Sequence, residues 1–400
     1  MSNFISKRDL FKYFMKYSSE KKDELDKRKT RSPLLKSYLL ETYSQNKVNN
    51  FKREFKNFEF NQIDNDVYQV EDLNGKTKDK PVGWLELLSN RFHVFYTSLS
   101  TKDIENRLQN SIKNSSILDS LWIPDSFYIS LFDFLKSIHN NQRFTRVKMN
   151  YNTDLKYNIP NEFLDGEDNI IFEDLEAIED NHNLEIAEPI SITDDILKNL
   201  RGMQNYATPK SISMLRIPGQ KGGGFDFYHN GKITNRSKNF NDYYNNIKFI
   251  INIYSTLLEL IEEDVWLDFK NHRFKSSNSY VKGSPVIIEF ENKISQPVFN
   301  NFIDKIFVKG YGNFRLWGEP IKISSEKIHV YGLDLHLWQE VFLELTPNTF
   351  VLILPKGVCG NTVNRFITNI QHNLDTNFKA YIGGKPYNSY IEKSFSVGVE

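Results

Sequence analysis

The stretch from Phe350 to Asp375 constrains this chain more than any other. Phe350 to Pro355 is an apolar run of strand length, Lys356 to Thr362 is a short loop with two glycines, and Val363, Phe366, Ile367, Ile370 and Leu374 then recur at helical spacing. This pattern predicts a strand that empties through a turn onto a helix over 362–374, with Arg365, Asn369 and His372 off the apolar stripe. Helix starts expose unpaired N–H groups and a partial positive charge, so they attract anions and depress thiol pKa values. Lys356, Gly357, Cys359, Gly360, Asn361 and Thr362 are therefore the candidate anion- or ligand-binding set. The loop has neither the Gly-Lys-Ser/Thr close of a P-loop nor the Gly-x-Gly-x-x-Gly spacing of a dinucleotide site. The competing reading is an ordinary strand-to-helix turn capped by Asn361 or Thr362.

Cys359 is the single cysteine, which excludes an intramolecular disulfide and any Cys-x-x-Cys zinc motif. A nucleophilic role needs a base, and His329, His336 and His372 are the candidates. His372 lies roughly 20 Å along the helix at about 1.5 Å per residue, too far for a dyad. His336 alternates with Asp334 and Trp338 and is the better base. A lone cysteine is more often a small buried hydrophobe. The remaining histidines form no His-Glu-x-x-His or comparable set, so no catalytic residue is assigned. Asp165, Glu167, Asp168, Glu173 and Asp174 lack EF-hand spacing, and neither a metal nor a cofactor is expected.

The formal net charge of zero hides segregation. Residues 1–56 hold 15 Lys/Arg and 7 Asp/Glu, residues 160–200 hold 13 Asp/Glu against Lys198 alone, and residues 201–250 hold 8 Lys/Arg and 2 Asp/Glu. Such separation speaks of partners or of docking within the chain. Arg216, Lys221, Lys232, Arg236 and Lys238, interleaved with Phe227 and Tyr228, are the candidate nucleic-acid-binding residues. The competing reading is a solvated hairpin whose charges block strand pairing.

Helical spacing at Phe11, Phe14 and Met15, and again at Leu34, Leu35, Tyr38, Leu39 and Tyr43, predicts a helical arm over 1–56. Shorter alternating segments predict a small α+β domain over 57–155. The acidic, weakly periodic 156–200 reads as a linker. Hairpin signals, with Asn230-Gly231 foremost, place a larger α+β domain over 201–400. An internal repeat would align Tyr96 and Trp122 with Phe290 and Trp317. The expected fold is α+β, a helical N-terminal arm followed by two α+β units with antiparallel hairpins.

No apolar run approaches the roughly 20 residues that span a bilayer, and Met1 to Tyr17 mixes charges among its apolar residues unlike a signal peptide. A cytoplasmic protein without membrane contact is expected. The leading function is a non-enzymatic binding or adaptor subunit of a multi-protein assembly, with other protein subunits as partners. A prokaryotic defence or conflict system is a setting that no chemistry in the chain specifies. The alternatives are nucleic-acid binding through residues 210–240 and the basic arm, and a ligand sensor or enzyme built on the 356–362 loop.

Overall fold

Residues 36–42, expected as part of a helical arm, form the strand around which a whole sheet is built. The computed structural model describes residues 6–27, 33–42, 47–55, 57–73, 81–140, 142–151, 182–202, 211–220, 222–271, 279–308, 312–375 and 377–398. Strand β1 (Lys36–Thr42) is buried at all seven positions. Leu35 and Leu39 enter one hydrophobic core while Tyr38 and Leu40 enter another. A strand apolar on both faces loses its period-2 signal, and its residues then match helical spacing by accident. The helical expectation does hold for α1 (Lys7–Asp26), which Ser6 caps by accepting from Asp9 N at 3.3 Å.

The fold is α+β. After β1 come α2 (Lys47–Glu54) and four strands in a meander: β2 (Phe58–Asp64), β3 (Val67–Asp72), β4 (Gly83–Leu87) and β5 (Phe92–Thr97). Strand β5 returns to pair with β1. Helix α3 (Thr101–Lys113), capped by Ser100, leads to β6 (Leu118–Ser120) on the other edge of β1, and α4 (Asp125–Ile138) follows. Strands β7 (Phe144–Tyr151), β8 (His182–Pro189), β9 (Ile212–Pro218), β10 (Gly224–Tyr228) and β11 (Lys232–Asn235) extend the same sheet, with α5 (Ile190–Gly202) between β8 and β9. The sheet has 11 strands in the order β2-β3-β4-β5-β1-β11-β10-β9-β7-β8, with β6 beside β1. The predicted hairpin at Asn230-Gly231 joins β10 to β11, and Gly231 takes the positive φ of 75° that such a turn requires.

Helix α6 (Phe240–Val265), 26 residues long, then crosses the core and leads through β12 (Trp266–Asn271) and β13 (Ser279–Lys282) to a second sheet. Its elements are β14 (Val286–Phe290), α7 (Gln296–Ile303), the meander β15 (Leu316–Lys322), β16 (Ile328–Asp334), β17 (Gln339–Leu345) and β18 (Thr349–Pro355), then α8 (Asn361–Asn373), β19 (Phe378–Ile382), β20 (Lys385–Pro386) and α9 (Tyr387–Gly398). This sheet has nine strands, ordered β15-β16-β17-β18-β14-β19-β20 with β12 and β13 attached at β18. Among the described residues every pairing in this sheet is antiparallel except β12 with β18.

The two sheets are wound alike. In each, a helix precedes a strand, a short helix leads into a four-stranded meander, and the last meander strand returns to the first strand. A helix then leads to a strand on that first strand's other edge, and a final helix closes the unit. The repeat expected from sequence is thus out of register: the topology matches β5 with β18 and β6 with β19. Trp122, buried just after β6, has no counterpart in Trp317, which is exposed within β15.

The expected domain boundaries do not separate sheets. The described part of 156–200 contains β8 and most of α5, and β9 to β11, assigned to the larger unit, pair into the first sheet. The acidic residues 165–174 lie outside the described residues. One hydrophobic core takes side chains from α1, both sheets and α6. Residues of α2, α3 and the opposite face of the first sheet make a smaller one. Among the described residues, no helix is long and apolar enough to cross a membrane.

Candidate functional site

Helix α8 begins where predicted, one residue early, but its surroundings do not match an amphipathic surface helix. All thirteen of its residues are buried, including Asn361, Thr362, Asn364, Arg365, Thr368, Asn369, Gln371, His372 and Asn373. Buried polar groups must find partners. Asn361, Thr362 and Arg365 find them in the segment around β6 and at the end of β16. His372, expected off the core stripe, bonds Ser211 Oγ at 2.7 Å and stacks on His229 at 4.2 Å. Burial lowers the pKa of His229 to about 4, which keeps that ring neutral.

Arg365 lies at the centre of this network. Its guanidinium reaches Asp119 of β6, Asp334 at 2.5 Å at the end of β16, and the Phe314 carbonyl at 2.9 Å. Arg315 adds a second cation, 3.3 Å from Asp119 and donating to the Leu118 carbonyl at 2.6 Å. Asp119 also accepts from Trp122 Nε1 at 3.1 Å, and Thr362 donates to Asp334. Burial alone would raise the Asp119 pKa, but Arg365 and Arg315 outweigh it and hold the carboxyl at about 2. Two carboxylates and two guanidiniums thus form a closed, formally neutral set.

A second charged set adjoins it at the loop. Arg91, which precedes β5, binds Glu41 of β1 at 2.6 Å and Glu262 of α6 at 2.5 Å. Glu262 in turn accepts the Gly360 N–H at 2.8 Å. The anion that the helix start attracts is therefore this chain's own carboxylate. Lys356 points away and pairs with Asp268 at 2.8 Å. Gly357, with φ of 96°, makes the turn, and Asn361 bonds Tyr254 at 2.5 Å and the Ser120 carbonyl at 2.9 Å. Gly360 occupies the cap position expected of Asn361 or Thr362, whose side chains are directed across the interface instead.

Cys359 is fully buried, with Sγ 3.1 Å from Glu41 Oε1 and 3.5 Å from Arg91 Nη2. Burial pushes the thiol pKa well up, Glu41 adds to that, and Arg91 opposes it only in part. The helix start does not depress it as expected. His336 is beside it: the ligand atoms of Glu41, His336 and Cys359 all lie within 4.8 Å of one another. His336 is not in a strand but in the turn after β16, where Leu337 and Trp338 adopt positive φ of 74° and 54° and Leu337 N bonds the Ser116 carbonyl at 2.7 Å. His329 pairs instead with Glu344 at 3.0 Å on the second sheet. Glu41, Arg91, Asp119 and Glu262 were missed from sequence. The available signal was a charge embedded in an apolar run, as in Tyr38-Leu39-Leu40-Glu41 and Ile117-Leu118-Asp119-Ser120-Leu121.

Four of the five basic residues of the hairpin region are engaged within the chain, with Asp226 shared by two of them. Arg216 and Arg236 both bind buried Asp226, at 2.6 and 2.5 Å. Lys232 sits 4.5 Å over the Tyr228 ring, and Lys238 pairs with Asp23 of α1. Lys221 lies outside the described residues.

Two surface features also escaped the sequence reading. A groove of about 710 Å³ separates α2 and α3 from the turn after β16, lined by Arg53, Arg107, Asn110, Asn114 and Trp338. Its arginines are paired, Arg53 with Glu54 at 3.1 Å and Arg107 with Asp72 at 2.6 Å. The outward face of β15 and β16 exposes Trp317 and Tyr331.

Fold and site together define an α+β protein of two similarly wound antiparallel sheets that meet across a buried ionic network. The chain belongs to the MJECL33-like protein family, which residues 2–389 match. It is 24% identical over 321 residues to a Methanocaldococcus jannaschii protein described as uncharacterized protein MJECL33, an alignment that covers 74% of this chain and 75% of that one. No solved structure matches the chain.

Proposed function

We propose that this protein is a non-enzymatic binding subunit of a cytoplasmic multi-protein assembly and that it docks a protein partner on the open face of the second sheet. The outward row of side chains on β15 to β18 carries this reading. Trp317 and Tyr331 are 59% and 60% exposed. Strand register sets Trp317 opposite Leu333, Tyr331 opposite Phe342, and Phe342 opposite Ile353, so the apolar residues adjoin one another. Tyr331 and Phe342 meet edge to face at 5.4 Å, and exposed Ile321 and Ile323 continue the patch. Charge interleaves with this apolar surface, Glu319 lying opposite Tyr331 and Glu340 opposite Leu333. Exposed apolar surface bordered by charge marks interaction sites, and aromatic anchors dominate their energetics. Pro320 lies in β15, the edge strand, where it withholds a ladder donor, which favours docking on the face over addition of a strand.

The other readings draw less support. Nucleic-acid binding through 210–240 needs free cations, and Arg216 and Arg236 are held by Asp226. A sensor built on the 356–362 loop needs free N–H groups, and Gly360 N is held by Glu262.

The test is co-purification of the tagged chain from its native cell, beside a Trp317→Ala/Tyr331→Ala variant. The wild type is expected to retain a stoichiometric protein. Each truncation of an anchor is worth about 2 kcal/mol, so recovery by the variant should fall at least tenfold while its melting temperature is unchanged. Equal recovery by both proteins, or no enriched protein with the wild type, overturns the reading.

A further inference from the structure

We propose that Glu41, His336 and Cys359 form a site for a divalent transition-metal ion of the zinc class, one that clamps the two sheets together. The three residues come from three distant parts of the chain: Glu41 from the central strand of the first sheet, His336 from the turn after β16, and Cys359 from the loop before α8. All three are fully buried. Their ligand atoms lie within 4.8 Å of one another, and a zinc-class ion bonded to S, N and O at about 2.0–2.3 Å draws such atoms to roughly 3.5 Å apart. The ligand atoms therefore draw closer together on binding.

Two independent observations point to a ligand. Glu41 Oε1 is engaged by Arg91 and Cys359, while Glu41 Oε2 has no hydrogen-bond partner among the described residues. His336 Nε2 lies 3.3 Å from the Ile117 carbonyl, which fixes the ring proton on Nε2 and leaves Nδ1 as a lone-pair donor. Nδ1 also lacks a hydrogen-bond partner among the described residues, with Asp119 Oδ2 3.9 Å away. A carbonyl that orients one imidazole nitrogen so that the other can ligate is the usual outer support of a metal-bound histidine.

Charge points the same way. Counted formally, with carboxyls ionised and the thiol protonated, Glu41, Glu262 and Arg91 sum to one negative charge, beside the neutral set of Asp119, Asp334, Arg315 and Arg365. Coordination releases the Cys359 proton to solvent, and a divalent ion with the thiolate brings the sum to zero. Arg91 keeps its bonds to Glu41 Oε1 and Glu262 and stays 3.5 Å from the sulfur. Three protein ligands leave one position of a tetrahedral ion to a further donor; burial of all three, and their origin in both sheets, is what fits a structural role. The ion would enter as the chain folds.

The test is expression of the full chain in minimal medium supplemented with Co2+, followed by metal analysis and absorption spectroscopy. The expected result is one cobalt per chain with a thiolate-to-cobalt charge-transfer band in the near ultraviolet. Cys359→Ser should abolish the band, and His336→Gln should lower the retained metal at least tenfold. His329→Gln, a change on the second sheet's surface, should leave both unaltered. Zinc-loaded wild type should melt about 3 °C or more above protein made in zinc-depleted medium. If the buried variants fail to fold, the wild type still decides the matter: no retained cobalt, or cobalt without a thiolate band, overturns the site. So does cobalt retained equally by Cys359→Ser, which marks an ion bound elsewhere.

Discussion

A single carboxyl shows how the interior is held. Asp119 sits at about 2 against an ordinary 3.8, because Arg365 and Arg315 outweigh the cost of its burial. Its folded value lies below its unfolded one, so its contribution is present above about pH 4 and is lost as pH falls towards 2. Denaturant midpoints of the wild type are expected to drop across that window. Asp119→Asn has no titrating group there and should give a flatter acid limb from a lower stability at pH 7. An equally steep limb in the variant would assign the acid sensitivity to other groups. From sequence, Asp119 was one acidic residue among 51 Asp and Glu. Only its setting in an apolar run hinted at burial, and nothing local named its partners, since Arg365 lies 246 positions away.

Among the elements, β1 and α8 are where local pattern and tertiary structure part. The strand has both faces buried, so its apolar residues do not alternate with polar ones. The helix has a legible apolar stripe, but its polar side faces other protein rather than water. Hairpins were readable because their turns carry the signal: Asn230-Gly231 joins β10 to β11, and Thr346 to Thr349 joins β17 to β18. Leu39→Ala and Leu40→Ala, on opposite faces of β1, should each cost about 2–5 kcal/mol in chemical denaturation. If one of the pair costs under about 1 kcal/mol, burial of both faces is refuted.

At the scale of the molecule, two similarly wound units share one interior. Helix α6 contributes Ile247, Ile250, Tyr254, Leu257 and Leu258 to a core that also takes side chains from both sheets and from α1. Phe11 and Phe14 of α1 contact Phe240 of α6 at 5.0 Å each, so the N-terminal helix is docked and not a free arm. The segregated charge is partly consumed by the same docking, as Lys238 pairs with Asp23 and Lys7 with Glu86. The full chain should therefore melt in one cooperative transition by circular dichroism, and fragments 1–235 and 240–398 should show none alone. A cooperative melt from either fragment would mean that the shared core is dispensable to it.

The sequence by itself determined the class of fold, the hairpins at Asn230-Gly231 and Thr346 to Thr349, the first helix, and the strand–turn–helix unit ending in α8. Each of these is written in neighbours a few residues apart, through turn chemistry and the 2.0 or 3.6 period of burial. Tertiary structure alone decided that residues 36–42 are a central strand, that β9 to β11 cross the expected boundary, and that the polar side of α8 is internal. It also decided the fate of the 356–362 loop. At the helix start the Gly360 N–H meets Glu262 from 98 residues away, and Cys359 meets Glu41 and His336 only once both sheets are in place. Charge pairs between segments so far apart leave no periodic trace in the chain, because the contact is fixed by the packing of whole sheets and not by local spacing.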